Sequence, residues 1–340
     1  MLTRLDAIHH LLRLGLLSPN DVTERHLSVS ETLGRNHLIR VEKEDGAGFV
    51  IKEPRDPDEF DASTMWMEAT LSWLSANDAL FGRMTPWMPR FFHYHEPQKI
   101  LTCELVACAE PLVSLLLAGS SVKPAVLRNV GSALGILHGL VSRGSTKAPS
   151  EQLFSPLMPW VLSLGSNTGR YAPRTPAAAE VLREIMANTA AMQQVRQLRE
   201  GWRTNQVIHG DAKATNVLVL KDSSVRIVDW EISNFGDGLW DVAGIMHSLI
   251  VPNPRWHDDP LNEAINKARP LIDALWQGYL SEAAPFPDAS DPRFLASRMA
   301  GARLLQTALE CGYFPGPLPQ SMPLLLESAF ELLSYPDGTR

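Results

Sequence analysis

Apolar residues recur along this chain with two different periods, and the change from one to the other divides it. Leu2, Leu5, Ile8, Leu12 and Leu16 stand three or four residues apart, which predicts one face of an amphipathic helix that stops or frays at Gly15. After the break at "SPND" strands are predicted near His26–Val29, His37–Glu42 and Gly48–Lys52, with "EDGAG" as the hairpin turn between the last two. A helix is predicted over Asp61–Ala76, with Met65, Trp66, Ala69, Trp73 and Leu74 as packing positions. "RFFHYHEPQKILTCELV" then predicts a second hairpin turning at "EPQK". From Ala107 the helical period dominates, over Pro111–Leu117, Ala125–Val141 and a long helical region through Gln197. Two short strands, Val217–Leu220 and Val225–Val228, interrupt it around "KDSS", and helices resume at Asp241.

The pattern predicts an α+β chain. A small β-rich lobe with a leading helix occupies residues 1–105, and a larger, mainly helical lobe occupies 106–340. The hairpin within the helical lobe must pack on neighbouring structure, because an isolated two-stranded hairpin is marginal in water. No internal repeat or low-complexity segment is visible.

Composition narrows the function classes. The 340 residues carry a net charge of −7, from 31 basic and 38 acidic side chains, which argues against broad binding to nucleic-acid phosphates. Cys103, Cys108 and Cys311 form no pair or cluster with zinc spacing; each reads as a small core residue in a reducing compartment. The N-terminal segment is broken by Arg4, Asp6, His9, His10 and Arg13, so it lacks the apolar core of a secretory signal. The uncharged stretch over 152–169 holds two prolines and several polar residues, a poor membrane span. The chain reads as soluble and cytoplasmic, with no nucleic-acid or membrane partner and no indication of oligomeric state.

The candidate chemistry is concentrated in "VIHGDAKATNVLVLKDSSVRIVDWEI", from Val207 to Ile232. If its two strands pair antiparallel, Asn216 at the start of one and Asp229 at the end of the other come to the same end, with Asp211 in the preceding loop. Two carboxylates and an amide oxygen suit a hard cation such as Mg²⁺, bound together with substrate phosphates. A buried turn capped by Asp and Asn would explain one of these residues but not the set.

"HGDAKATN" followed by "IVDWE" resembles the catalytic core of the aminoglycoside phosphotransferase and choline kinase superfamily, relatives of the protein kinases, through His209, Gly210, Asp211, Asn216, Asp229, Trp230 and Glu231. The resemblance implies a bilobal protein-kinase-like fold and transfer of the γ-phosphoryl group of ATP, or of GTP, to a hydroxyl. Asp211 would orient the acceptor hydroxyl and receive its proton. Asn216 and Asp229 would hold Mg²⁺, and Glu231 would reach it through water or stand as an exposed helix cap. His209 would support the loop. Lys213 stands where small-molecule kinases usually have histidine, and would neutralise the transferring phosphoryl group or remain a solvated loop residue.

The same resemblance assigns residues elsewhere. "GFVIK" supplies Lys52 for the α- and β-phosphates, with Glu68 as its partner in preference to Glu59 or Asp61 nearer the helix start. Ser30, Thr32 and the backbone of Gly34 would cover the phosphates, Arg35 is a phosphate contact or a surface residue, and Asn36–Val41 resembles the strand after that loop. Backbone groups near Glu104–Val106 would hold the purine. His138 reads as a packed core residue, and "FGDGLWDVAG" resembles a structural element in which Asp241 caps a helix and braces the catalytic loop.

The acceptor is a small-molecule alcohol such as an antibiotic or metabolite, or alternatively a Ser/Thr hydroxyl of a peptide. Residues 251–340 hold eleven carboxylates and seven Lys/Arg, a weak excess for a pocket that takes polycations. Trp240, Trp256 and Trp276 either line a site for a ring or cationic headgroup or belong to the core. A metal-dependent phosphohydrolase with His209, Asp211, Asp229 and Asp237 as ligands leaves Lys52 and Asn216 without a role. A pseudokinase acting as a binding module would not need every catalytic position filled.

Overall fold

The computed structural model describes the whole chain except residues 25, 35, 56–58, 120, 144–152, 167–171, 284–290, 314–316 and 336–340, and the side chains of 59–63. Arg35 and the side chains of Glu59 and Asp61 therefore lie outside the described residues. The chain forms two compact units, Met1–Glu110 with Leu218–Ile232, and Pro111–Val217 with Ser233–Arg340. The hairpin that ends in Asp229 thus belongs with the N-terminal unit, not with the helical remainder to which the sequence pattern assigns it.

In the first unit, α1 (Arg4–Arg13) starts at a reciprocal cap between Thr3 and Asp6, and is followed by the short α2 (Pro19–Thr23). Strands β1 (Ser28–Leu33), β2 (Asn36–Glu42), β3 (Gly48–Pro54), β4 (Phe91–His95) and β5 (Ile100–Leu105) form one sheet in the order β1-β2-β3-β5-β4. All its pairings are antiparallel. Helix α3 (Glu59–Asn77) connects β3 to β4.

Successive strand residues point to opposite faces of this sheet. Ile39, Val41, Phe49, Ile51 and Ile100 pack against Ala7 and Leu11 of α1. Leu101 packs with Met65 and Ala69 of α3. Because Lys52 follows Ile51 and pairs in register with Leu101, its side chain is directed to the α3 face. Of the expected packing positions on α3, Met65, Ala69 and Leu74 are buried, whereas Trp73 is 50% exposed.

The second unit contains α4 (Leu112–Leu117), α5 (Pro124–Leu140), α6 (Pro176–Ala187), α7 (Thr189–Glu200), α8 (Leu239–Ile250), α9 (Leu261–Glu282), α10 (Pro292–Cys311) and α11 (Met322–Leu333). The strand pair Gln206–Ile208 and Asn234–Gly236 is antiparallel. Every residue of α8 is buried, which makes it the centre of this unit. The long helical region expected through Gln197 is interrupted: between α5 and α6 the described residues include a short 3₁₀ turn at Trp160–Ser163. Pro156, Pro159 and Pro173 each remove a backbone donor and prevent a continuous helix. Of the cysteines only Cys311 is buried; Cys108 is exposed and lies at a turn with φ 54°, so it is not a core residue.

Helices α5 and α9 cross at glycines. A Cβ on Gly278 would stand 1.9 Å from the Arg128 carbonyl oxygen, and one on Gly131 2.0 Å from that of Leu275. The backbone contact leaves no room for a methyl group, so Gly278→Ala must push the helices apart. We expect it to lower unfolding stability by about 1–3 kcal/mol, read as a shift of the urea midpoint. An unchanged midpoint would mean that the crossing relaxes freely.

Candidate active site

In the first unit a buried ammonium gathers three carboxylates. Lys52 Nζ lies 2.5 Å from Glu68 Oε2, 2.5 Å from Asp229 Oδ1 and 3.5 Å from Glu231 Oε2. β3 directs Lys52 to the α3 face, and α3 brings in Glu68 sixteen residues later. Burial opposes the charge on Lys52, but the three carboxylates outweigh it and raise its pKa above the ordinary lysine value. Glu68 is raised by burial and by Asp229 and Glu231, against the pull of Lys52.

Asp229 adopts φ 69°, a left-handed conformation uncommon outside glycine. The following Trp230 is buried and donates from Nε1 to the Ile227 carbonyl at 2.9 Å. Glu231 is only 8% exposed and accepts a hydrogen bond of 2.7 Å from Asn36 Nδ2. This excludes the exposed helix-capping role for Glu231. Carboxylate oxygens of Glu68, Asp229 and Glu231 all lie within 4.8 Å of one another, and such an all-oxygen, acidic set fits a hard divalent cation.

The other residues expected to meet a nucleotide are more dispersed. Ser30 and Thr32 lie exposed on β1, where Thr32 Oγ1 accepts from Arg40 Nη1 at 3.1 Å. Gly34, also exposed, donates its amide to the Asn36 carbonyl at 3.0 Å. Glu104 donates its amide to the Arg90 carbonyl at 2.9 Å, so this N–H is engaged within the protein; Val106 lies just beyond the end of β5.

In the second unit the loop over 209–216 carries Asp211 between two cations. Arg303 Nη2 lies 2.9 Å from Asp211 Oδ1, and Lys213 Nζ lies 2.6 Å from Oδ2. Burial would raise this carboxyl, but Arg303 and Lys213 outweigh it and hold the pKa down at about 2. Asp211 is therefore ionised at neutral pH. Asn216 Nδ2 donates to the Asp211 carbonyl at 3.0 Å, which ties the amide nitrogen to the loop, and its Oδ1 accepts from the Thr215 hydroxyl at 3.3 Å.

Helix α8 holds this loop. The fully buried carboxylate of Asp241 accepts from the amides of His209 and Gly210, at 2.7 and 2.9 Å. Asp241 also lies 3.1 Å from Nε2 of His138, whose Nδ1 is 3.0 Å from the Tyr279 hydroxyl. Asp241 thus braces the loop from within the first turn of α8 and does not cap the helix; Leu239 N donates instead to Asp237 Oδ1 at 3.0 Å. The second carboxylate oxygen of Asp237 is buried without a partner, and burial pushes its pKa up. His209 is buried, and its Nδ1 accepts from the Asp211 amide at 3.2 Å.

The sequence pattern did not single out Arg303, although one arginine within the apolar run "MAGARLLQTAL" is a signal that could have found it. The tryptophans also separate. Trp240 and Trp276 are each 1% exposed, and Trp256 is 76% exposed. Arg303 lies over Trp240 at 5.1 Å and Arg293 over Trp276 at 5.9 Å, so each of these rings already meets a cation of the protein itself.

A five-stranded sheet with a helix on each face, a helical remainder and an HGDxxxxN loop define the α+β fold of kinase-type phosphotransferases. Among solved structures, ethanolamine kinase from Plasmodium vivax matches with a TM-score of 0.57 at 14% identity, covering 96% of this chain and 87% of that one. Choline kinase LicA from Streptococcus pneumoniae matches with a TM-score of 0.54 at 14% identity, covering 98% and 99%. The AMP-bound complex of spectinomycin phosphotransferase matches with a TM-score of 0.54 at 14% identity, covering 95% and 98%. No curated protein matches the chain. The model of the phosphotransferase enzyme family matches residues 34–294, and the chain belongs to that family. Among the described residues no helix is long and apolar enough to cross a membrane.

Proposed function

We propose that this protein transfers the γ-phosphoryl group of ATP to a hydroxyl of a small molecule. The observation that carries the reading is Lys52 paired at once with Glu68 and Asp229, each at 2.5 Å. A lysine so fixed supports a role in meeting phosphate oxygens, since phosphoryl transfer depends chiefly on positioning and charge neutralisation. Asp229 and Glu231 are the residues of the first unit that would hold Mg²⁺. The bound ion supplies neutralisation of phosphate charge.

In the reaction the acceptor oxygen forms a bond to the γ-phosphorus while the bond from that phosphorus to the β,γ-bridging oxygen breaks, leaving ADP. The proton of the hydroxyl passes to Asp211. Lys213 faces the same carboxylate and neutralises charge on the transferring group. The acceptor is an uncharged or weakly charged alcohol: Trp240 and Trp276 are buried and each already has an arginine over its ring, and the acidic excess over 251–340 is small.

Incubation with γ-labelled ATP, Mg²⁺ and a panel of alcohols tests this. The panel holds sugars, macrolides, choline, ethanolamine and an aminoglycoside. Label is expected on a neutral alcohol, and thermal stabilisation by Mg-ATP is expected without any acceptor. Absence of that stabilisation would refute the reading outright, and transfer confined to the polycationic aminoglycoside would overturn the acceptor class.

A further inference from the structure

We infer that Arg303 is a positioning residue for Asp211: from α10 its guanidinium holds one carboxylate oxygen, and phosphoryl transfer depends on that hold. The inference rests on the phosphotransferase reading above. Arg303 is 4% exposed and lies among Ala300, Gly301, Ala302, Leu304 and Leu305, all buried. A guanidinium in such surroundings is retained only when paired and hydrogen-bonded.

Its partners all belong to the catalytic loop or to what holds it. Nη2 lies 2.9 Å from Asp211 Oδ1 and 3.5 Å from the Ala212 carbonyl oxygen. The Trp240 ring beneath the guanidinium donates from Nε1 to the Gly210 carbonyl at 3.0 Å. Gly244 of α8 lies where a Cβ would come within 2.1 Å of the Ala212 carbonyl oxygen and 3.2 Å of Arg303 Nη2. Two helices therefore close on residues 210–212, and Arg303 is the contact that reaches the reactive carboxylate.

The two cations on Asp211 are unlike. The Lys213 side chain is 35% exposed on a flexible stem, while that of Arg303 is 5% exposed and planar. Lys213 can yield Oδ2 to an arriving hydroxyl while Arg303 keeps Oδ1 fixed. Without Arg303 the carboxylate is free to turn towards Lys213, and a misplacement of about 1 Å in a reacting group can reduce turnover about 100-fold.

The test compares Arg303→Met and Arg303→Lys with the wild type in steady-state transfer from ATP, with melting temperature and Mg-ATP affinity measured alongside. Arg303→Met is expected to lower kcat about 100-fold, with nucleotide KM within about twofold and the protein folded at the assay temperature. Arg303→Lys is expected to recover about tenfold of the loss, since it restores charge without the planar fork. A kcat for Arg303→Met within twofold of wild type overturns the inference. So does a loss fully accounted for by the unfolded fraction or by weaker nucleotide binding. If the wild type transfers no phosphate to any acceptor, the functional reading fails instead. A crystal structure of Arg303→Met then decides the positioning role: Asp211 in its wild-type rotamer overturns it, and a rotated carboxylate supports it.

Discussion

Asp211→Asn is expected to abolish turnover while leaving nucleotide binding intact. The substitution preserves shape but removes the charge that meets Arg303 at 2.9 Å and Lys213 at 2.6 Å. It also removes the carboxylate proposed above to receive the hydroxyl proton. Proton transfer by a positioned side chain is worth about 10²–10⁴-fold, and kcat should fall by that factor. Asparagine is preferable to alanine, which would leave the buried Arg303 guanidinium facing a void, so that lost stability would obscure lost chemistry. The decisive measurement is single-turnover transfer from labelled ATP beside a Mg-ATP binding isotherm. Nucleotide binding weakened by as much as the rate would assign Asp211 to binding and remove it from the acceptor side.

Lys52→Met is expected to destabilise the protein as well as inactivate it. The ammonium and the Glu68 carboxylate form a buried pair at 2.5 Å, with side-chain exposures of 8% and 11%. Removing one partner of such a pair costs about 3–5 kcal/mol, because the other charge stays buried and uncompensated. Here the cost has a second source, since Glu68, Asp229 and Glu231 oxygens lie within 4.8 Å of one another and lose the cation that separates them. Millimolar Mg²⁺ should therefore raise the melting temperature of Lys52→Met more than that of the wild type. The pH dependence should change in the same sense. Burial already raises Glu68 against the pull of Lys52, so with Lys52 gone Glu68 binds its proton more readily in the folded than in the unfolded chain, and the variant gains stability as pH falls towards the unfolded carboxyl range. Equal Mg²⁺ responses in the two proteins would show that the three carboxylates do not share a cation.

These two expectations rest on residues that the sequence exposes to very different degrees. Asp211, Asn216 and Asp229 stand within one stretch of spaced residue types, and their candidacy needed no fold. Lys52 and Glu68 were legible only through the resemblance of "GFVIK" and the helix after it to the small lobe of the aminoglycoside phosphotransferase and choline kinase superfamily. The register that sends Lys52 to the face opposite Ile51, beside Glu68 on α3, came from the fold. The strands and helices around them were placed to within a few residues. Proline chemistry broke the one long helix that periodicity suggested before α6.

By itself, then, the sequence determined the fold class, the strand that carries Lys52, and the identity of the loop residues. All three depend on neighbours a few positions apart. Only the tertiary structure decided that Glu231 is held by Asn36, 195 residues away, and that Asp211 is clamped by Arg303, 92 residues away. The reason is physical. A charge in an apolar helical run or at the end of a strand is a cost that some partner must offset, but local spacing does not reveal where in the chain that partner lies. Which side of α10 meets the loop is set by packing against α8 and α11, and that packing turned an isolated arginine into a contact of the Asp211 carboxylate.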